Sequence, residues 1–225
     1  MKLSHRKYLL VSLIIMLTAL PLAYAYEKEF LGEVIETVAK TYGKRAVKRF
    51  KKWYKLIETN MEQKELHKLT MVNDFINRSK RESDFDNYGQ EDYWATPLEL
   101  LGRNRGDCED LSIAKYFSLT MMGIPADKLR ITYVMALDLQ QAHIILAYYE
   151  TPSSDPLIMD SLKPQILPAS LRPDLKPIYS FNGDFIWLSK SRGKDLKVGM
   201  SRMSGRFKQW SSLLSKMKQE IGLSE

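Results

Sequence analysis

Apolar residues recur at helical spacing through the first half of the chain, and the period then lengthens into extended, β-branched runs. Between Tyr26 and about Arg81, the positions Ala46, Val47, Phe50, Trp53, Tyr54 and Ile57 share one helical face, and so do Leu66, Leu69, Val72, Phe75 and Ile76. Two amphipathic helices are predicted. The basic cluster Lys44, Arg45, Lys48, Arg49, Lys51 and Lys52 is then the solvated face of the first. Residues 82–106 read as a long loop rich in Asp, Asn and Gly. Its aromatics, Phe85, Tyr88, Tyr93 and Trp94, argue against disorder, so a functional loop is expected. A helix follows from Cys108 to about Met122. Asp107 suits its N-cap and Asp110 its N3 position, a box-like start, while Gly123 and Pro125 end it. Leu111, Ala114, Tyr116, Phe117, Leu119 and Met121 give it a broad apolar surface, as a deeply packed helix requires.

The extended runs are Leu129 to Leu137, Ala142 to Tyr149, Pro156 to Leu162 and Phe185 to Leu188. Lys163 to Pro177 carries four prolines and reads as a surface connection. Near the C-terminus Phe207, Trp210, Leu213, Leu214, Met217 and Ile221 form a helical stripe, expected to dock on the domain. The fold class is α+β: N-terminal helices, then a central capped helix packed on an antiparallel sheet.

The first residues bear on compartment. Lys2, Arg6 and Lys7 precede an almost unbroken apolar run from Tyr8 to Leu22, and Ala23-Tyr24-Ala25 fits a small-x-small cleavage pattern. Residues 1–25 are expected to be a secretory signal peptide, leaving 26–225 as a single domain. The alternative is an uncleaved anchor, for which the run falls short of the roughly 20 apolar residues a span needs. Losing three basic residues and no acidic one lowers the formal charge from +7 to +4. Export and so modest a charge argue against nucleic acid as a partner.

Cys108 is the only cysteine, so an exported chain cannot use it for an internal disulfide. It is either a buried small hydrophobe or a thiol kept for chemistry. A capped helix start favours the latter, because free amides and the helix dipole stabilise a thiolate there. Of the three histidines, His5 lies in the signal and His67 in a charged amphipathic helix, which leaves His143 as the candidate base. Asp160, within an apolar strand, is costly to bury unless an imidazole pairs with it. A turn-rich ETPSSDP joins the two strands and suits a hairpin that would bring the pair together.

Cys, His and Asp in that order, on a helix start and two adjacent strands, is the layout of the papain-like transglutaminase superfamily. VNDFIN (72–77), EDYWATPLELL (91–101), GDCEDLSIAKY (106–116), KLRITYV (128–134), QAHIILAYY (141–149) and RPDLKPIYSFN (172–182) resemble the bacterial transglutaminase-like cysteine proteinases. The resemblance spans about residues 45–190. It implies a papain-like, transglutaminase-type core, with Cys108 as nucleophile, His143 as general base and acid, and Asp160 as its orienter. The Cys108 amide is a candidate oxyanion donor; Gln141, Trp94 and loop amides stay open for a second.

Asp107, Glu109 and Asp110 crowd the thiol and oppose its ionisation. A hard divalent cation would relieve that repulsion, although the spacing matches no EF-hand. The resemblance implies calcium dependence, with Asp107 and Glu109 as ligands; Asp86, Asn87 and Asp92 are further candidates, and Asp110 is ambiguous between ligand and cap. It also implies a periplasmic location and a substrate, the N-terminal region of a large surface adhesin cut near a di-alanine, with biofilm dispersal as the outcome. A partner is implied too, an inner-membrane cyclic-di-GMP receptor of the LapD type that sequesters the protease. The loop around Trp94 is expected to supply part of that surface. The alternatives are an acyl transferase using the same three residues, and a non-catalytic peptide-binding module.

Overall fold

The computed structural model describes residues 28–183, 185–188, 196–199 and 206–220. The expected signal peptide lies outside the described residues. Among them, no helix is long and apolar enough to cross a membrane.

The helical half begins with α1 (28–42) and α2 (Lys44–Asn60), separated by Gly43, whose φ of +79° lets the chain turn where other residues would be strained. Ala46, Phe50, Trp53 and Ile57 of α2 are buried. Arg49 departs from the expected solvated face. Its guanidinium donates to the carbonyls of Leu101 and Gly102, both at 2.6 Å, so it caps a neighbouring helix C-terminus. Next comes α3 (Glu65–Ile76), which buries Leu69, Val72 and Ile76.

Residues 82–106 are not one long loop. They contain α4 (Asp84–Tyr88) and α5 (Pro97–Arg103), bracketed by short parallel strands β1 (Lys80–Arg81) and β2 (Arg105–Gly106). Thr96 caps α5 and Glu99 reaches back to the Thr96 amide, with Pro97 just inside the helix. That is a complete capping box, legible in ATPLE.

The central helix α6 (Cys108–Met121) is buried on most of its circumference, as its broad apolar surface predicts. It lies between the N-terminal helices and a seven-stranded antiparallel sheet. The strands are β3 (Leu129–Ala136), β4 (Gln141–Tyr148), β5 (Leu157–Met159), β6 (Leu167–Pro168), β7 (Leu175–Phe181), β8 (Phe185–Leu188) and β9 (Leu196–Gly199), in the order β6-β5-β4-β3-β7-β8-β9. Ile144, Leu146, Tyr148 and Met159 face the core that α6 fills, whereas Ile145, Ala147, Ile158 and Val134 line a small second cluster. This alternation is the strand period of two.

Two strands depart from the expected limits. β5 stops at Met159, so Asp160 sits just beyond it. β7 occupies the end of the proline-rich stretch read as a connection, and pairs with central β3. Its Pro177 cannot donate to a ladder, and the register slips there: Tyr133 pairs with Tyr179 but Val134 with Pro177, leaving Ile178 as an extra residue. The C-terminal helix α7 (Arg206–Glu220) docks on the domain, stacking Trp210 on Phe117 at 5.6 Å and burying Leu213.

Candidate active site and metal site

Cys108 opens α6. Asp107, the N-cap, accepts the amides of Glu109 and Asp110 at 3.1 and 3.4 Å, which leaves the Cys108 amide outside the cap. Asp110 does not complete a capping box. It is fully buried, and its Oδ1 accepts the amide of Ala95 at 2.7 Å, tying α6 to the segment before α5. Gly106 is required for this packing: a Cβ there would stand 2.6 Å from Asp110 Oδ2 and 2.8 Å from Leu100.

His143 and Asp160 form a buried pair, Nε2 to Oδ1 at 2.7 Å. β4 and β5 are adjacent, with Leu146 opposite Met159. Asp160 follows directly on Met159, and its carboxylate meets His143 beyond the end of the ladder. Oδ1 also accepts the Leu162 amide at 2.8 Å, and Oδ2 accepts Arg172 Nη2 at 2.7 Å. Burial raises the Asp160 pKa, but the hydrogen bonds from His143, Leu162 and Arg172 outweigh it and hold the carboxyl at about 2. Arg172 was not anticipated from sequence, since nothing local distinguishes it from a surface arginine.

The Cys108 thiol donates to Glu109 Oε2 at 2.9 Å, and the backbone N–H of Ile144, the residue after His143, acts to lower its pKa. Its proton therefore goes to Glu109 rather than to His143 in this structure. Burial pushes the thiol pKa well above its usual value, and the charges of Glu109 and Asp107 add to the effect.

The carboxylates gather as expected, with one addition and one exception. Asp84, Asp92 and Glu109 form a group with ligand atoms within 4.8 Å of one another, as do Asp84, Asp107 and Asp110. Asp84, unnoticed in the sequence, belongs to both. Its Oδ2 accepts the Tyr93 amide at 2.6 Å, which closes the loop between α4 and α5. Asp86 stands outside these groups. It is exposed and accepts the Ser83 hydroxyl at 2.6 Å, serving the start of α4. Within that first turn Asp84 and Asp86 are about 200° apart around the helix axis, so only one can face α6. Asn87 donates to the Arg105 carbonyl at 3.1 Å and keeps its own buried Oδ1 without a partner among the described residues.

These residues fit a hard cation. Buried oxygens of Asp84, Asp110 and Asn87 have no hydrogen-bond partner among the described residues, and the donors are all oxygens. Burial, then the neighbouring carboxylates, pushes Asp107 up to about 10; burial is also the first cause at Asp84, raised to about 6, and at Asp110, raised well above its usual range. Such crowding of acids is what a bound cation would neutralise.

Trp94 does not supply a surface. It is buried and stacks on Phe181 at 5.7 Å, whereas Phe85 of the same stretch is exposed. Gln141 is exposed at the start of β4.

Comparison with known proteins bears on family and fold. A family model described as bacterial transglutaminase-like cysteine proteinase matches residues 44–173. Curated proteins gave no match. Among solved structures, Legionella pneumophila LapG in an EGTA-treated form is 42% identical, with 81% of this chain and 95% of that one covered and a TM-score of 0.71. A calcium-bound form of the same Legionella protein is also 42% identical, over 81% and 97% of the two chains, with a TM-score of 0.69. Both the α+β fold and the family model agree: the chain belongs to the bacterial transglutaminase-like cysteine proteinase family.

Proposed function

We propose that this cysteine proteinase is a calcium-dependent endopeptidase of the periplasm. Its nucleophile is Cys108, its acid–base residue His143 and its orienting carboxylate Asp160. The observation that carries the reading is the buried His143–Asp160 pair together with a thiol on a helix start, next to a cluster of carboxylates in which Asp84 and Asp110 each keep a buried oxygen unpartnered among the described residues.

Asp160 takes the Nε2–H of His143, which fixes the tautomer and leaves Nδ1 as the base. Nδ1 removes the thiol proton as sulfur attacks the peptide carbonyl. The Cys108 amide, free of the cap, donates to the developing oxyanion. His143 then gives its proton to the leaving amine. A water, deprotonated by the same nitrogen, hydrolyses the thioacyl-enzyme and frees the thiol. Asp84, Asp107 and Glu109 would hold calcium, with Asp92, Asp110 and Asn87 as further donors. The ion supplies the positive charge that offsets their repulsion. A Glu109 carboxylate engaged with the ion would no longer hold the thiol hydrogen bond, and the thiol proton would be left for Nδ1 of His143.

The resemblance supports the substrate, the N-terminal region of a large surface adhesin near a di-alanine, and release of that adhesin in biofilm dispersal. It supports a cyclic-di-GMP receptor of the LapD type as the sequestering partner, while the charged start, apolar run and Ala23-Tyr24-Ala25 support export by a cleaved signal.

The test is incubation of the protein with an adhesin N-terminal fragment and a labelled primary amine. Cleavage is expected with calcium, not with EGTA, and magnesium should restore it poorly. No amine should be incorporated. Cleavage by Cys108→Ala would overturn the reading, and amine incorporation would move it to acyl transfer.

A further inference from the structure

Six cations stand together on the outer face of α2. Lys44, Arg45, Lys48, Lys51, Lys52 and Lys55 are all exposed. At about 100° per residue they fall within an arc of roughly 120°, spread over roughly 17 Å of helix axis. Ala46, Phe50, Trp53 and Ile57 occupy the opposite side and are buried. Arg49 lies at the border, engaged by the carbonyls of Leu101 and Gly102. None of the six forms an ion pair among the described residues.

This arrangement works against the helix that carries it. Lys44 and Lys48, Lys48 and Lys52, and Lys51 and Lys55 are like charges four residues apart, a spacing at which they destabilise a helix. Lys44 and Arg45 stand in the first turn, where the dipole disfavours cations, and that turn has neither an acidic residue nor a side-chain cap. The last turn, where cations are favoured, has none. A face serving solubility alone would mix both signs, as α1 does with exposed Lys28, Glu29, Glu33, Glu36 and Lys40. By itself α2 carries a net charge of +6, more than the +4 of residues 26–225 together, so the rest of that chain is net acidic.

The shape of the face narrows the choice of partner. The apolar cavity beside α2 is lined by Phe50, Trp53 and Tyr54, with none of the six among its walls. No large apolar side chain of α2 is exposed among the described residues. A convex face without groove or apolar anchor offers a folded partner no pocket to fill. A plane of phosphates, by contrast, meets all six charges at once.

We propose that this face of α2 lies on an anionic phospholipid surface, held there by electrostatics. Each Lys or Arg close to such a surface adds to the attraction, which decays within a Debye length.

Cosedimentation with lipid vesicles at a fixed calcium concentration tests this, using the chain from residue 26, which holds every described element. Vesicles containing phosphatidylglycerol should bind it, and vesicles of phosphatidylcholine alone should not. Raising salt from about 0.05 to about 0.5 M should weaken binding at least about tenfold. Lys44→Gln, Lys48→Gln and Lys51→Gln combined should lower affinity by about tenfold or more. That variant should melt no lower than the parent, because like-charge contacts are relieved. Lys64→Gln, Arg78→Gln and Lys176→Gln combined remove the same charge elsewhere and should leave vesicle binding in place. Equal loss in the two sets assigns the attraction to net charge and overturns the proposal. So do equal binding to phosphatidylcholine, no binding to either vesicle, and binding of polyglutamate without binding of vesicles. Vesicle binding is read without catalysis, so the proteinase mechanism can fail and leave this result standing, or the reverse.

Discussion

At Cys108 the first turn of α6 and the surrounding carboxylates pull in opposite directions. The helix start favours a thiolate, while burial, Glu109 and Asp107 oppose it. The outcome depends on what neutralises the acids, and Asp84 is central to that because it belongs to both acidic groups. Asp84→Asn should weaken calcium binding by at least about tenfold, the loss of one charged ligand in a hard-ion site, whereas Asp86→Asn should leave it unchanged. Calorimetric titration with calcium checks both, and equal effects would show that α4 presents the wrong face. Arg172 is the other residue of consequence. Replacing it by Met leaves Asp160 with only His143 and the Leu162 amide, and Asp174 with Lys163. A cost of about 3 kcal/mol or more is expected, as for a broken buried ion pair, measured by urea denaturation.

Among elements, α5 shows how a local signal can be hidden by its surroundings. Thr96, Pro97 and Glu99 are a complete helix start, but they stand in a stretch whose Asp, Asn and Gly content reads as loop. Thr96 also donates to Glu220 at 2.6 Å, so the same residue pins α7. Thr96→Ser should be nearly neutral and Thr96→Ala should cost about 1 kcal/mol or more, from the lost cap and the lost contact. Equal stability of the two variants by thermal melting would deny the cap its role. β7 was obscured for a different reason. Pro177 forbids a regular ladder, and only a bulge opposite β3 lets the strand continue.

At the scale of the molecule, α7 closes over the segment that carries Asp84 and Asp92. Lys216 donates to the Trp94 carbonyl at 2.6 Å and lies 3.7 Å from the centre of the Tyr93 ring, while Glu220 reaches Thr96. Burial, then the charge of Glu99, raises the Glu220 pKa to about 7, against an opposing hydrogen bond from Thr96. A carboxyl whose pKa is raised on folding contributes stability at low pH that is lost as pH climbs from its unfolded value through the folded one. The docking of α7 should therefore weaken between about pH 4.5 and 7. Hydrogen exchange of α7 amides at pH 5 and pH 8 checks this, and Glu220→Gln should remove the difference. Asp160 behaves oppositely. Its depressed carboxyl adds stability above about pH 4 that disappears as pH falls through 2.

The sequence by itself determined the α+β class, the capped central helix and the candidates Cys108, His143 and Asp160, because periodicity, capping and the scarcity of Cys and His are local or compositional properties. Tertiary structure decided which face of α4 meets α6, and so Asp84 over Asp86. It put Trp94 in the core, gave Asp160 its second partner in Arg172 and enclosed Lys115. Each of these depends on the direction of a side chain relative to an element distant in sequence, and no spacing along the chain encodes that.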